Sequence, residues 1–404
     1  MSSYLLGVIL FALGIAVTIA LHEAGHMLVA RAFGMRVRRY FIGFGPRVAS
    51  FTRGHTEYGV AAVPFGGFCE IAGMTPNDEL TAEEAPHAMV NKPWWQRVAV
   101  LSGGVAVNLL LGFCILYGVA VSSGIPNPYA DHTATVGEVT CTADQDPATG
   151  ELEQCSGVGA AGRAGIEVGD RILAVDGRRV ENFQRLAAEV AERPGETVEL
   201  TVERDGQRLE VPVTVDEVTR YSADGQARSA GSVGLVSRPV TDAVRKFGPV
   251  EAVPATFALT GQALQATVEG VLQLPAKIPG VVASIFGAER DDESPMSVVG
   301  ASRIGGELVE HSLWTSFLML LASLNFFLAL FNLVPLPPLD GGHILVVLYE
   351  KARDLLRRLR GLPAGEPVNY EKLLPVTYVM AALLMGFGGL VLIADVVNPV
   401  RLFG

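Results

Sequence analysis

The sequence predicts an α-helical membrane protein with four transmembrane helices and a separate β-rich domain outside the bilayer. Three observations lead there. Half of the 404 residues are hydrophobic and only 18% are charged, with a mean hydropathy of +0.35; an ordinary soluble domain carries about 25% charged residues. Four apolar runs reach the length of about 20 residues that a bilayer crossing takes. Between the second and third runs lies a long acidic segment with strand-like alternation. The net charge of −11, from 31 basic and 42 acidic residues, argues against a nucleic-acid partner, which would call for a basic patch. Four cysteines are too few for a disulfide scaffold but allow one bridge.

The apolar runs are Tyr4 to Leu21, Val98 to Gly124, Ser312 to Leu339 and Leu373 to Ala394. The first lacks the basic n-region and small-residue cleavage site of a signal peptide, so it is read as a retained span. Lys and Arg set the orientation. Arg31, Arg36, Arg38, Arg39, Arg47, Arg53, Lys92 and Arg97 fall between runs one and two, and Lys351, Arg353, Arg357, Arg358, Arg360 and Lys372 between runs three and four. Both segments are therefore expected in the cytoplasm. The middle segment, Asn127 to His311, holds 29 acidic and 16 basic residues and is expected outside. Val253 to Ala288 is apolar but carries Gln262, Gln265, Glu269, Gln273 and Lys277, as well as Pro275 and Pro279. A fifth span there would invert the basic loop after run three, so an amphipathic helix on the outer surface is expected instead.

His22-Glu23-Ala24-Gly25-His26 is an HExxH pattern. On a helix, residues i and i+4 lie one above the other, so two imidazoles at that spacing can share one Zn²⁺. Glu23 can reach a water on the metal as general base. A His/Glu cluster at a helix end is the alternative, but two His and one Glu inside an apolar span are costly to bury and default to function. A third protein ligand is needed, and Asp340 is the best candidate. It follows the charge-free run, where Pro335, Pro337 and Pro338 break the helix and Gly341-Gly342 allow a tight turn. Depth agrees: His22 lies about 27 Å of helix beyond Tyr4, and Pro335 about 34 Å beyond Ser312. Both sites then reach the cytoplasmic third of the bilayer.

With HExxH in the first span, Asn332-Leu-Val-Pro-Leu-Pro-Pro-Leu-Asp340-Gly-Gly in the third and an outward domain between spans two and three, the chain resembles the site-2 protease family of intramembrane zinc metalloproteases. The resemblance covers essentially the whole chain and looks closest to actinobacterial four-span, single-PDZ regulators of intramembrane proteolysis. It implies one Zn²⁺ held by His22, His26 and Asp340, water activation by Glu23, and a role for Asn332 in holding the substrate backbone or stabilising the oxyanion. Phe41-Ile42-Gly43-Phe44-Gly45-Pro46 resembles the family's membrane-dipping GxG hairpin, and Val63-Pro64-Phe65-Gly66-Gly67-Phe68 its P-x-GG-[YF] strand. An exposed strand edge there would capture an unwound helix through backbone hydrogen bonds, with Gly43, Phe44, Gly45, Gly66 and Gly67 binding substrate; simple turn chemistry is the other reading of these glycines. Ser102-Gly103-Gly104-Val-Ala-Val-Asn108 departs from the family's usual AGPxxN, with Gly104 in the proline position. Asn108 either packs near the site or, the reading preferred, makes an interhelical hydrogen bond.

Within the outward segment, Ile166 to Gly177 resembles the core of a PDZ domain. Gly169-Asp170 turns the chain, Ile172, Leu173 and Val175 start a strand, and Asp176-Gly177 is a hairpin turn. Phe183 to Ala191 reads as a helix, and Thr197 to Thr214 alternates through an Asp205-Gly206 turn. The Gly157–Gly165 stretch resembles a carboxylate-binding loop; the domain either receives a peptide C-terminus there or filters substrates by size. Cys141 and Cys155 flank an acidic loop on the expected oxidising side and are expected to pair, whereas Cys69 and Cys114 are expected free. His343, close behind the Asp340 turn, is read as structural, and His55, His87, His132 and His311 as surface residues.

The full expectation is an α-helical membrane protein with four transmembrane helices, a cytoplasmic-side membrane-associated β-hairpin region and an extracytoplasmic PDZ-like α+β domain. Its segments are 1–34 (first span), 35–92 (β-rich loop), 93–126 (second span), 127–240 (PDZ-like domain), 241–311 (amphipathic helical linker), 312–350 (third span), 351–372 (cytoplasmic loop) and 373–404 (fourth span and tail). The resemblance implies a multi-pass protease of the bacterial plasma membrane. Its partners would be the bilayer, single-span substrates such as anti-sigma factors, and an upstream site-1 protease that trims them first. Clearance of remnant signal peptides and a non-proteolytic PDZ scaffold are the alternatives.

Overall fold

The computed structural model describes residues 3–75, 77–147, 149–221, 226–288, 290–291 and 294–403, and at Pro64 and Phe65 the backbone alone. It divides into two compact units, Met1–Ile125 with Lys246–Gly404, and Pro126–Arg245.

The first unit opens with α1 (Ser3–Ala32), an apolar helix whose buried stripe runs Gly7, Phe11, Ile15, Thr18, His22, Gly25 and His26. Steps of three and four residues keep that stripe on one face. Then come β1 (Val37–Arg53) and β2 (Thr56–Ile71), two long antiparallel strands that fold back on themselves. Residues 37–42 pair with 67–71 on one side and with 57–60 on the other, and 49–53 pair with 56–60. The result is a four-rung sheet in the order 67–71, 37–42, 57–60, 49–53, bent at Gly43, Gly45 and Gly66, where φ is +88°, +86° and +91°. Only glycine adopts those angles cheaply. Among the described residues no strand pairs with the outer edge of 67–71. Tyr40 fastens the sheet to α1 by donating its hydroxyl to the Ala20 carbonyl at 2.6 Å.

Beside this sheet Arg38 gathers Glu84, Asp78 and Glu70, with Nε to Glu84 Oε1 at 2.7 Å. The guanidinium holds the Glu84 carboxyl down at about 2. A carboxyl whose pKa is depressed in the folded state stabilises it above the ordinary value near 4.5 and loses that contribution as pH falls towards 2. We therefore expect hydrogen exchange of residues 35–42, corrected for intrinsic rates, to accelerate between pH 4.5 and 2 in the wild type. In Glu84→Gln the same residues should exchange faster throughout and lose this pH dependence; identical profiles in the two proteins would refute the assignment.

The second apolar run is not one helix. It breaks at Ser102 into α2 (Trp94–Leu101) and α3 (Gly103–Ser122). At that break Gly25 of α1 meets Gly103 so closely that a Cβ on Gly25 would lie 2.3 Å from the Gly103 carbonyl oxygen. The small-residue contact draws the two backbones together, as in close helix packing within membranes.

The second unit contains β3 (Ala134–Val139), α4 (Ala160–Arg163), β4 (Arg171–Val175), α5 (Phe183–Ala191), β5 (Thr197–Arg204), β6 (Gln207–Thr214), β7 (Asp216–Tyr221), β8 (Ala227–Ser232) and β9 (Leu235–Ser237). An antiparallel sheet runs β9-β3-β4-β5-β6, with Arg178–Arg179 paired to β4, and β7 pairs with β8. Val198, Leu200 and Val202 alternate into a core shared with Val136, Ile172, Val175 and Leu186. Asn182 caps α5 by accepting from the Arg185 N–H at 2.8 Å. Burial alone would raise the Asp170 carboxyl, but two hydrogen bonds from Arg204, at 2.7 and 2.6 Å, hold it below the usual range. Cys141 and Cys155 form a disulfide across 14 residues; Cys69 and Cys114 are free thiols.

Back in the first unit follow α6 (Pro249–Ile285), α7 (Val298–Glu310), α8 (Trp314–Leu333), α9 (Asp340–Leu359) and α10 (Leu374–Val397). Among the described residues, four helices are long and apolar enough to cross a membrane: α1, α3, α8 and α10. The helix α6 does more than present an apolar face to a surface. Leu259, Ala263 and Leu264 pack against Leu116, Ala322 and Phe326 of α3 and α8, and Phe257 meets Phe113 at 4.7 Å. The short α7 lies along the first half of α1, where a Cβ on Gly7 would sit 2.7 Å from the Gly305 carbonyl oxygen. Asp395 of α10 pairs with Arg290 at 2.6 Å, both side chains almost wholly buried.

Candidate metal centre

The third apolar run ends as a helix at Leu333, and the proline-rich segment after it reverses into α9 at Asp340. The two glycines behind Asp340 are helical and do not take positive φ. Their function is close approach: a Cβ on Gly341 would lie 2.3 Å from the Leu333 carbonyl oxygen. The absence of a side chain lets the start of α9 tuck against the end of α8, which points Asp340 back at α1.

His22 and His26, one turn apart on α1, are both buried, with Nε2 atoms 3.2 Å apart. Asp340 Oδ2 stands 3.4 Å from each of those nitrogens. The three donor atoms lie within 4.8 Å of one another. His26 Nδ1 donates to the Val100 carbonyl at 2.8 Å, which leaves the Nε2 lone pair facing the other two donors. Lone pairs aimed at one point repel unless a cation lies between them. Two imidazole nitrogens and one carboxylate oxygen, buried together, are the donor set of a zinc centre that keeps a position open. The residues present fit that ion.

Around the triad is a cavity of about 580 Å³, lined in part by Glu23, Gly67, Cys69, Asn108 and Asn332. The Glu23 carboxylate lies near the Cys69 backbone. Asn332 Nδ2 lies 3.4 Å from His22 Nε2. Of the expected substrate-binding residues, Asn332, Phe44, Gly66 and Gly67 line the cavity; Gly43 and Gly45 instead shape the bend of the sheet. The side chains of Pro64 and Phe65 lie outside the described residues. Cys69 and the Val100 carbonyl were not anticipated. Cys69 stands two residues beyond Gly67, on the same strand period, whereas a backbone carbonyl leaves no mark in a sequence. His343 stacks on Tyr370 at 5.9 Å and is not one of the clustered donors.

Gly67 fixes Glu23 by contact. A Cβ there would lie 3.1 Å from Glu23 Cγ and 2.9 Å from the Phe41 carbonyl oxygen. We expect Gly67→Val to push Glu23 aside and lower cleavage about 10²-fold, the scale of a misplacement near 1 Å, with zinc content unchanged. Wild-type turnover in that variant would contradict the contact.

A buried His–His–carboxylate centre beside a glutamate, with both imidazoles and the glutamate on a helix long and apolar enough to cross a bilayer, defines a membrane zinc metalloprotease. The family model described as peptidase family M50 matches residues 10–368, and the chain belongs to that family, the site-2 proteases. It is 47% identical to the zinc metalloprotease Rip1 of Mycolicibacterium smegmatis, over 98% of this chain and 99% of that one. It is 45% identical to the zinc metalloprotease Rip1 of Mycobacterium tuberculosis over 99% of each. A probable membrane metalloprotease of Arabidopsis thaliana chloroplasts is 29% identical over 94% of this chain and 77% of its own length. The chain is thus a zinc enzyme that hydrolyses peptide bonds, and its substrates are membrane proteins.

Proposed function

We propose that this protein cuts transmembrane segments of single-span proteins inside the bilayer of a bacterial plasma membrane, near the cytoplasmic face. One observation carries the reading: the His22–His26–Asp340 cluster, Glu23 and the open strand edge at Gly66–Cys69 share one cavity beside apolar helices. His22, His26 and Asp340 would hold one zinc ion per chain. Bound there, zinc supplies the Lewis acidity that brings a water's pKa to about 7. Glu23 takes the proton of the attacking water and returns it to the leaving amine, so that hydroxyl joins the carbonyl carbon as the C–N bond breaks. Asn332 offers its amide N–H to the substrate backbone or the developing oxyanion. A helix hides its peptide bonds, so a segment must unwind before attack, and the edge beyond Phe68 offers backbone partners for the unwound chain.

In this reading the unit Pro126–Arg245 is an outward PDZ domain. Several N–H groups of its Gly157–Gly165 loop are already spent internally, Gly159 on Thr140, Ala161 on Val233 and Gly165 on Gly162. That supports a size filter over capture of a free C-terminus. Substrates would then need prior trimming by a site-1 protease, as single-span anti-sigma factors would receive. Membrane proteomes of cells carrying wild type or Glu23→Gln test the proposal. Trimmed single-span proteins should accumulate in the variant. Accumulation of remnant signal peptides alone would move the enzyme to signal-peptide clearance, and unchanged proteomes would favour a scaffold.

A further inference from the structure

Asn108 was expected to bridge two helices, and it does not. The side chain is fully buried, and neither Oδ1 nor Nδ2 has a hydrogen-bond partner among the described residues. Asn325, the comparable asparagine of α8, shows the contrast. Its Nδ2 donates to Thr18 Oγ1 at 3.3 Å and to the Leu321 carbonyl at 2.8 Å, tying α8 to α1, and only its Oδ1 lacks a partner among the described residues. An amide left unpaired in an apolar helix is destabilising, so its presence calls for another explanation.

Its place supplies one. Asn108 lines the cavity that holds the metal triad. Four residues earlier on the same face of α3, Gly104 lies against the triad itself: a Cβ there would be 2.5 Å from His26 Nε2 and 2.6 Å from His22 Nε2. One helical turn, about 6 Å along the axis, therefore separates Asn108 from the level of the imidazoles.

We propose that Asn108 binds the substrate backbone, its side-chain amide accepting one peptide unit of the unwound segment. An asparagine amide carries a carbonyl acceptor and an NH₂ donor, the complement of the N–H and C=O that a peptide unit presents. An unwound segment at membrane depth has no water to satisfy those groups and must find them in protein. The strand edge at Gly66–Cys69 offers backbone partners, and Asn108 offers a side-chain pair from α3 in the same cavity. The proposal rests on the intramembrane reading above and adds a substrate-binding residue to it.

The test uses purified full-length protein in detergent micelles with a single-span substrate, comparing wild type, Glu23→Gln and Asn108→Leu. Leucine keeps the branched heavy-atom outline and removes both polar atoms. Asn108→Leu should retain its zinc, melt at or above the wild-type temperature, and lose about tenfold or more in kcat/KM. A melting temperature that falls with activity would make Asn108 a packing residue and overturn the proposal, as would wild-type kcat/KM. If Asn108→Leu does not fold, Asn108→Ser against Asn108→Ala decides. The serine hydroxyl donates and accepts, so it should retain more activity than alanine, and equal activity overturns the proposal. Failure of the wild type itself to cut the substrate would instead sink the intramembrane reading.

Discussion

Glu23→Gln is expected to leave zinc in place and remove cleavage. The substitution keeps size and hydrogen-bonding reach, and Glu23 is not one of the three clustered donors. What disappears is a group able to take a proton and return it. General acid–base assistance accounts for about 10²–10⁴-fold of rate, and here one carboxylate serves both halves of the reaction. Metal analysis of the purified variant should match wild type while turnover of a single-span substrate falls by at least 10²-fold. Retained turnover would remove Glu23 as the base; lost zinc would move it into the ligand set.

Asp340→Ala should fail differently, losing the metal and the reaction together. Asp340 stands equidistant from both imidazole nitrogens and contributes the only anionic donor of the cluster. Without it two neutral imidazoles remain, fewer protein ligands than a catalytic zinc site normally has. The Lewis acidity at stake amounts to several kcal/mol of barrier, so activity should fall by 10³-fold or more. The fold should survive, because the start of α9 is held by close backbone approach, Gly341 against the α8 end at Leu333 and Gly342 against Leu336 and Pro337. Stoichiometric zinc in this variant would mean that another residue completes the site. His26→Ala should behave alike and also strand the Val100 carbonyl that its Nδ1 now satisfies.

The difference between these two variants separates chemistry from metal binding, and both roles were open to inspection in the sequence. HExxH fixes two ligands and a base by helical period alone, since residues four apart must share a face. The Asp340 assignment came from elsewhere: a carboxylate beside a proline break at the end of a charge-free run. The spans were legible for the same kind of reason. Runs such as Leu373 to Ala394 announce a crossing by length and composition, and α10 (Leu374–Val397) follows that run within three residues. The Ser102 break in the second run was less visible, because Gly103 and Gly104 signal only that something approaches closely.

Local signals stop where contact between distant segments begins. In β1 and β2 the sequence announces a hairpin with glycines near its bends, yet the four-rung order depends on 37–42 pairing with two stretches of β2 at once. The amphipathic pattern of α6 is visible, but its seat on Leu116 and Phe326 is not. Asn108 makes the point at one residue: chemistry alone favours an interhelical hydrogen bond, and only packing reveals that neither of its polar atoms has a partner among the described residues.

The sequence by itself determined the spans, two imidazoles and a glutamate on one helix, and a plausible third ligand, because period, length and charge are local properties of a chain. The tertiary structure decided that Asp340 meets those imidazoles across more than three hundred residues, and that an open strand edge and an unpaired amide share their cavity. Such meetings depend on which backbones can approach, and at Gly25, Gly67 and Gly341 the approach is set by an absent side chain, whose neighbour a linear sequence does not name.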